Sequence, residues 1–545
     1  MKIVTALTNI PRIQIMATSH LRPATLALAA AFFVAAVAAT DTNSAPTVTI
    51  AQGSLAGASN GTVVEYLGIP FAAPPIGENR WRSPQPASRW SGVRKADRFA
   101  ASCFQDLTPK GFGPWTPEYV VQDLASEDCL YLNVWAPSAK AQKLPVLMWF
   151  YGGAFTSGSG SVPVYNGAAL AARGMLVVNA NYRLGALGFM AHPELTKEGG
   201  GSSGNYAIED MVAALQWVKA NIAAFGGDPS QVTIAGQSAG AAAVHNLVAS
   251  PLAKGLFIRA IAQSGSGMGI GSAPLGAAEK TGMQLMAKTG TKSVAEMRRL
   301  SPEAIGVAAK GTPGDRSTAL RFGPIVDGRI IPQDPSGAGL PPVNDTPILT
   351  GMTADEGSSG DNYGVSTPTA LRSSIERSFG GLASEAKEFY AATSDKEAGE
   401  ISKAVGRDRG IASAYVWALD RSRNGRSPIY FYLFTHPEPG PDAAKYGAFH
   451  SSEIPYVFQT LDKSPGRPFT ASDHMLSETM ASYWTNFVRT GNPNGPRLPK
   501  WPAFAPQDPE LLEIGDMVAA KPVMTVKKRD FYTRFVGQGG KLGLF

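Results

Sequence analysis

An α/β fold, a mostly parallel sheet with helices on both faces and helical insertions over one end, is predicted from three features of this 545-residue sequence. Apolar runs of strand length alternate with helical stretches, the pattern of strand–helix–strand crossovers. One such run, 232–235, leads into Gly236-Gln237-Ser238-Ala239-Gly240 and then an alanine-rich helix. The third feature is composition: 44% hydrophobic residues supply a large core, and disorder is not expected.

Taken in order, residues 47–64 read as short alternating strands of an antiparallel edge. The stretch after Tyr66 holds Pro70, Pro74 and Pro75, too many prolines for a helix. Buried-strand patterns follow at 130–135, 146–150 and 176–179, then a helix at about 208–225 and the strand 232–235. Further strands are expected at 257–263, 347–350 and 429–434, while 264–317 and 366–413 read as helical insertions. No repeat or low-complexity linker divides the chain, so residues 40–545 are expected to form one domain. The serine- and glycine-rich run 157–161 reads as a loop at a site rather than a boundary.

Residues 1–39 read as an export signal: Arg22 precedes an apolar run over 26–37, and Ala36-Val37-Ala38 resembles a cleavage site. Met16 is a plausible alternative start. The apolar run is too short to span a bilayer comfortably, so no stable membrane insertion is expected. The formal charge of +6 shrinks once Lys2, Arg12 and Arg22 of this segment are set aside, leaving 46 basic against 43 acidic side chains. A nearly balanced surface without a basic face argues against nucleic acid as a partner. Secretion or a periplasmic location suits the two cysteines, Cys103 and Cys129, which an exported chain most simply pairs. Closing a loop of that size contributes about 3 kcal/mol in the chain-entropy model.

In a Gly-x-Ser-x-Gly turn between strand and helix the flanking positions exclude large side chains, and the serine is held strained with its hydroxyl exposed. Ser238 is therefore the candidate nucleophile. A serine hydroxyl is a poor nucleophile at neutral pH and needs a base, which an acid must orient. The expected chain order is serine, acid, histidine. His436, His450 and His474 follow a credible acid. His474 falls in a helical pattern and His436 ends a strand in a proline-rich turn, whereas His450 stands in a loop able to reach over a sheet edge. Asp355 and Glu356, just after the strand 347–350, both occupy the place where open parallel sheets build their sites. A tetrahedral intermediate also needs hydrogen-bond donors, each worth roughly 10²–10³ in rate. Gly153 and Ala154 after the strand 146–150, with Ala239 after the serine, offer three backbone N–H groups.

Assembled, these residues resemble the type B carboxylesterase/lipase family, which includes cholinesterases, bacterial para-nitrobenzyl esterases and non-catalytic neuroligins. The resemblance spans nearly the whole mature chain. It rests on Phe225-Gly226-Gly227-Asp228-Pro229 leading into the Ser238 motif, on Glu127-Asp128-Cys129-Leu130-Tyr131-Leu132-Asn133-Val134, and on Asn181-Tyr182-Arg183-Leu184-Gly185. Asp355-Glu356-Gly357 and His450-Ser451-Ser452-Glu453-Ile454-Pro455 complete it. The resemblance implies an α/β-hydrolase fold with Ser238 as nucleophile, Glu356 rather than Asp355 as acid, His450 as base, and Gly153, Ala154 and Ala239 as oxyanion donors. It also implies a hydroxyl at Ser264 standing near the acid and supporting it, and a disulfide Cys103–Cys129 at the rim of a gorge.

The chain departs from the pattern at Gln237, where cholinesterases carry glutamate, so choline esters are disfavoured. Trp115 lies in the cysteine loop at a different spacing from the family's choline-stacking tryptophan. Thr318 and Leu320 stand approximately where acetylcholinesterase has aromatic acyl-pocket walls, which suggests room for an acyl group larger than acetyl. The expected activity is serine carboxylesterase, acting on a small-molecule ester with no metal or organic cofactor. A specialised lipase, a toxin-detoxifying esterase or a polyester hydrolase fits the same residues. With Ser238, Glu356 and His450 all present, a neuroligin-like binding module is disfavoured. A monomer is favoured.

Overall fold

The structure is a computed structural model that describes residues 45–543 apart from 140, 266–271, 312–315, 336–341 and 441. The expected signal segment, 1–39, lies outside the described residues. Ala45–Phe545 groups as one compact unit.

Eleven strands form the central sheet: β1 (Ala58–Ser59), β2 (Val63–Pro70), β3 (Tyr131–Pro137), β4 (Leu144–Phe150), β5 (Leu176–Ala180), β6 (Gly227–Gln237), β7 (Arg259–Gln263), β8 (Ile348–Thr353), β9 (Ile429–Phe434), β10 (Glu510–Ile514) and β11 (Val518–Pro522). Their spatial order is β11-β10-β9-β8-β7-β6-β4-β5-β3-β2-β1. The seven strands from β5 through β10 in that order run parallel. β11 closes one side antiparallel to β10, and β3, β2 and β1 pair antiparallel on the other. Every residue of β5, β8 and β9 is buried. Successive side chains point to opposite faces, so a strand buried at every position is covered on both.

Two parts of the sequence reading change. Residues 47–64 do not make one edge: Thr47–Ile50 and Gly53–Ala56 pair with each other and, through Gly53–Ala56, with Val93–Lys95 in a separate small sheet. Of these, only residues from Ala58 onward join the main sheet. The strand expected at 347–350 continues to Thr353, because its later residues pair with β9 as far as Thr353↔Phe434. The segments read as insertions are helical, with Leu275–Thr289 and Pro302–Ala309 in the first and Pro368–Phe379, Ala383–Phe389 and Asp395–Asn424 in the second. Leu371, Ile375 and Phe379 of the second insertion pack with Phe531, Tyr532 and Phe535 of the C-terminal helix in a satellite core.

The parallel run sets the site. β4, β6 and β8 all end at one rim of the sheet, and the residues that follow them are those carrying Gly153, Ser238 and Glu356.

Candidate active site

β6 is paired through Gly236↔Phe150 and Gln237↔Gln263 and then turns at once into the helix Ala239–Ala249. Ser238 takes φ 59°, ψ −123°, a conformation that side chains rarely adopt and that the surrounding sheet and helix impose. The flanking glycines have steric causes. A Cβ on Gly240 would sit 2.0 Å from the carbonyl oxygen of Phe150, and one on Gly236 would sit 2.5 Å from the backbone of Gly240. A third glycine, Gly152, brings the next segment against the nucleophile: its Cβ would lie 2.9 Å from that of Ser238.

Beyond β4 the chain reverses at Gly153, Ala154 and Phe155, all at positive φ, and the carbonyl of Gly153 accepts the N–H groups of Thr156 and Ser157. Among the described residues, the N–H groups of Gly153, Ala154 and Ala239 donate to no other group. Ala239 is buried, Gly153 half-buried and Ala154 exposed, so these N–H groups stand open at the rim next to the strained serine. Gln105, whose role the sequence reading missed, braces this loop: its amide donates to the carbonyls of Gly158 and Cys103 and accepts the N–H of Gly158.

Past β8, Glu356 is buried and accepts the N–H of Thr353 at 2.9 Å through Oε1. Its Oε2 makes a short hydrogen bond with Nδ1 of His450. Asp355 does different work. It pairs as a bridge with Phe449, accepts the N–H of Ala448 at 3.0 Å and the hydroxyl of Tyr363 at 2.7 Å, and faces Arg407. The two adjacent acids thus divide between holding the imidazole and holding its loop.

With Nδ1–H given to Glu356, the lone pair of His450 lies on Nε2, where the side-chain amide of Gln237 stands 3.1 Å away. Ser238 and His450 line the same cavity of about 380 Å³, along with Phe112, Trp115, Tyr119 and Gly153. Burial pulls the pKa of His450 down, but the charge and hydrogen bond of Glu356, with Glu453 behind it, leave it above the ordinary histidine value. Glu453 is fully buried, and burial and the nearby Glu356 push its pKa up to about 7. It is reached through a relay in which Trp484 donates to Gln263 and Gln263 donates to Glu453.

Ser264 donates its backbone N–H to Gly351, but its buried hydroxyl makes no hydrogen bond with Glu356 or any other described residue. Cys103 and Cys129 form a disulfide with Cα atoms 4.8 Å apart. The Asn181-to-Gly185 motif stiffens the rim, because Arg183 makes a buried two-bond ion pair with Asp210 and Tyr182 stacks on Tyr151 at 4.3 Å. Leu320 lines a second cavity of about 750 Å³ that shares Gln105, Asp106, Ala154 and Thr156 with the first. Thr318 does not line it: its backbone carbonyl accepts the ammonium of Lys288 instead. Among the described residues, no helix is long and apolar enough to cross a membrane.

A mostly parallel sheet in which β6, the third parallel strand in chain order, delivers a strained serine into the following helix defines the α/β-hydrolase class. The carboxylesterase family profile matches residues 44–532. The chain is 38% identical over 481 residues to a fumonisin B1 esterase of Sphingopyxis macrogoltabida, covering 84% of this chain and 85% of that protein. It is 34% identical over 486 residues to a phenmedipham hydrolase of Pseudarthrobacter oxydans, covering 85% and 94%. A solved PNB esterase superposes with a TM-score of 0.75 at 32% identity, covering 89% of this chain and 99% of that one. The chain belongs to the carboxylesterase family and is a hydrolase of carboxylic esters.

Proposed function

We propose that the protein is an exported serine esterase in which Ser238 attacks the ester carbonyl, His450 takes the serine proton, and Glu356 orients and stabilises the imidazolium. The attack forms a tetrahedral intermediate whose oxygen is held by the N–H groups of Gly153, Ala154 and Ala239. Its collapse expels the alcohol, which takes the proton back from His450, and water then attacks the acyl-serine by the same route. The observation that carries this reading is the imidazole bonded to Glu356 in one cavity with a strained Ser238, with Gly153 and Ala154 on its wall and Ala239 next to the serine, their N–H groups having no other described acceptor. Gln237 leaves the Nε2 lone pair when the serine engages it, since hydrogen bonds of resting sites often tighten only with substrate bound.

Export to the periplasm or the medium is supported by the leader-like residues 1–39 and by the disulfide. The second cavity, which shares Ala154 and Thr156 with the first, supports acyl or alcohol groups larger than those of acetyl esters. Lipid, toxin and polyester substrates all offer such groups.

One experiment tests both levels. Ser238→Ala is expected to lower kcat on para-nitrophenyl esters by about 10⁴-fold or more. In the unaltered protein, kcat/KM is expected to hold or rise from acetyl to butyryl to octanoyl esters. Unchanged hydrolysis in the alanine variant sinks the serine mechanism, and a steep fall with chain length sinks the large-group reading.

A further inference from the structure

We propose that Trp115 is a positioning residue for the base: its indole N–H, given to the main-chain carbonyl of His450, ties the imidazole to the disulfide-closed loop. This rests on His450 acting as the base, as proposed above. The indole nitrogen lies 3.1 Å from the carbonyl oxygen of His450 and 3.4 Å from the hydroxyl of Ser451. The ring meets His450 edge to face at 6.4 Å and 82°, and meets Phe449 likewise at 6.4 Å and 89°. The backbone needs such a hold here. Ser451, immediately after the imidazole, sits at φ 89°, a costly conformation that persists only where its neighbours impose it.

Trp115 is itself fixed from three sides. Its backbone pairs with Phe112 through two hydrogen bonds of 2.8 and 3.1 Å. On either side of it, Arg467 donates to the carbonyl of Pro114 at 2.8 Å and to the hydroxyl of Thr116 at 3.0 Å. The same guanidinium lies over the rings of Tyr119 and Phe449 and pairs with Glu118 and Glu438. The whole loop is closed by Cys103–Cys129. One side of the indole therefore lines the substrate cavity while its N–H grips the residue that performs proton transfer.

Removing one neutral hydrogen bond corresponds to about a tenfold change in an equilibrium or rate. A base displaced by a fraction of an ångström is penalised on that scale. The test compares Trp115→Phe with a protein carrying benzothienylalanine at 115, which keeps the bicyclic shape, and hence the fold, but lacks the N–H. Both are expected to lose about tenfold in kcat on a para-nitrophenyl ester. The benzothienyl protein is expected to keep KM within about twofold, because the cavity wall is intact.

The charged groups acting on the imidazole are Glu356 from the end of β8 and Glu453 from its own segment, while Arg467 lies over the ring of neighbouring Phe449. Of these, Glu356 touches the ring. Loosening that contact is expected to move the acid limb of kcat to lower pH, a shift that a mere wall residue would not produce. Unchanged kcat and pH profile in the benzothienyl protein, or a loss confined to KM, would overturn the proposal. Either result beside an inactive Ser238→Ala leaves the serine mechanism standing, whereas an active Ser238→Ala removes the mechanism beneath both.

Discussion

At the residue scale, the site is a set of single atoms with opposing demands. His450 must be neutral to accept a proton, yet burial, the largest single influence and one that favours the neutral ring, is outweighed by Glu356 and Glu453 acting together. A raised histidine pKa means that the protonated, inactive ring persists to higher pH. The acid limb of kcat/KM is accordingly expected to have its midpoint above the ordinary value of 6.5, measured on the free enzyme with a neutral ester. Substituting Glu356→Gln is expected to lower both that midpoint and kcat. A midpoint at or below 6.5 in the unaltered protein would show that desolvation wins. Much of this scale was legible beforehand. The serine announces itself by its strand, its glycines and its helix, because the steric exclusion around Gly236 and Gly240 is written as residue type. The amide of Gln237 against Nε2, the grip of Trp115 and the brace of Gln105 were not legible, since each depends on where a side chain points across a fold assembled from distant segments.

At the element scale, loops rather than strands decide the geometry. The segment carrying His450 is tied to the end of β8 by Asp355, which accepts the N–H of Ala448, while Asp355 itself donates its N–H to the carbonyl of Ala448. Chain position favoured Glu356 only narrowly over Asp355 because they are adjacent. The structure separates them by direction, one side chain toward the loop backbone and Arg407, the other toward the ring. Asp355→Ala is expected to lower the melting temperature and to reduce kcat by about tenfold through the displaced loop, since a partly buried N–H and a tyrosine hydroxyl lose their acceptor together. Asp355→Asn, which keeps an acceptor oxygen, is expected to recover most of both in thermal melts and steady-state assays. The strands 47–64 were misread for a related reason: short alternating segments specify a half-buried surface but not which sheet receives them.

At the scale of the whole molecule, the core contains an acid-sensitive group away from the chemistry. His245, on the helix that follows Ser238, is fully buried against Trp417, and burial together with Arg421 pulls its pKa down to about 4 from 6.5. A histidine that resists protonation only when folded stabilises the protein fully above pH 6.5, and that contribution is lost as the pH falls toward 4. The linked stability is on the order of 3 kcal/mol. His245→Gln is expected to flatten the dependence of the melting temperature on pH between 6.5 and 4. An unchanged slope would assign the acid lability to other groups.

The two cavities share Ala154, so the amide proposed to cradle the developing charge also stands where they adjoin. The larger chamber draws its lining mainly from the first helical insertion and the segment around Leu320, neither of which supplies Ser238, Glu356 or His450. Selectivity and chemistry are therefore separable modules here: the walls can be redecorated, by natural drift or by design, while the proton-transfer machinery keeps its footing on the strand ends.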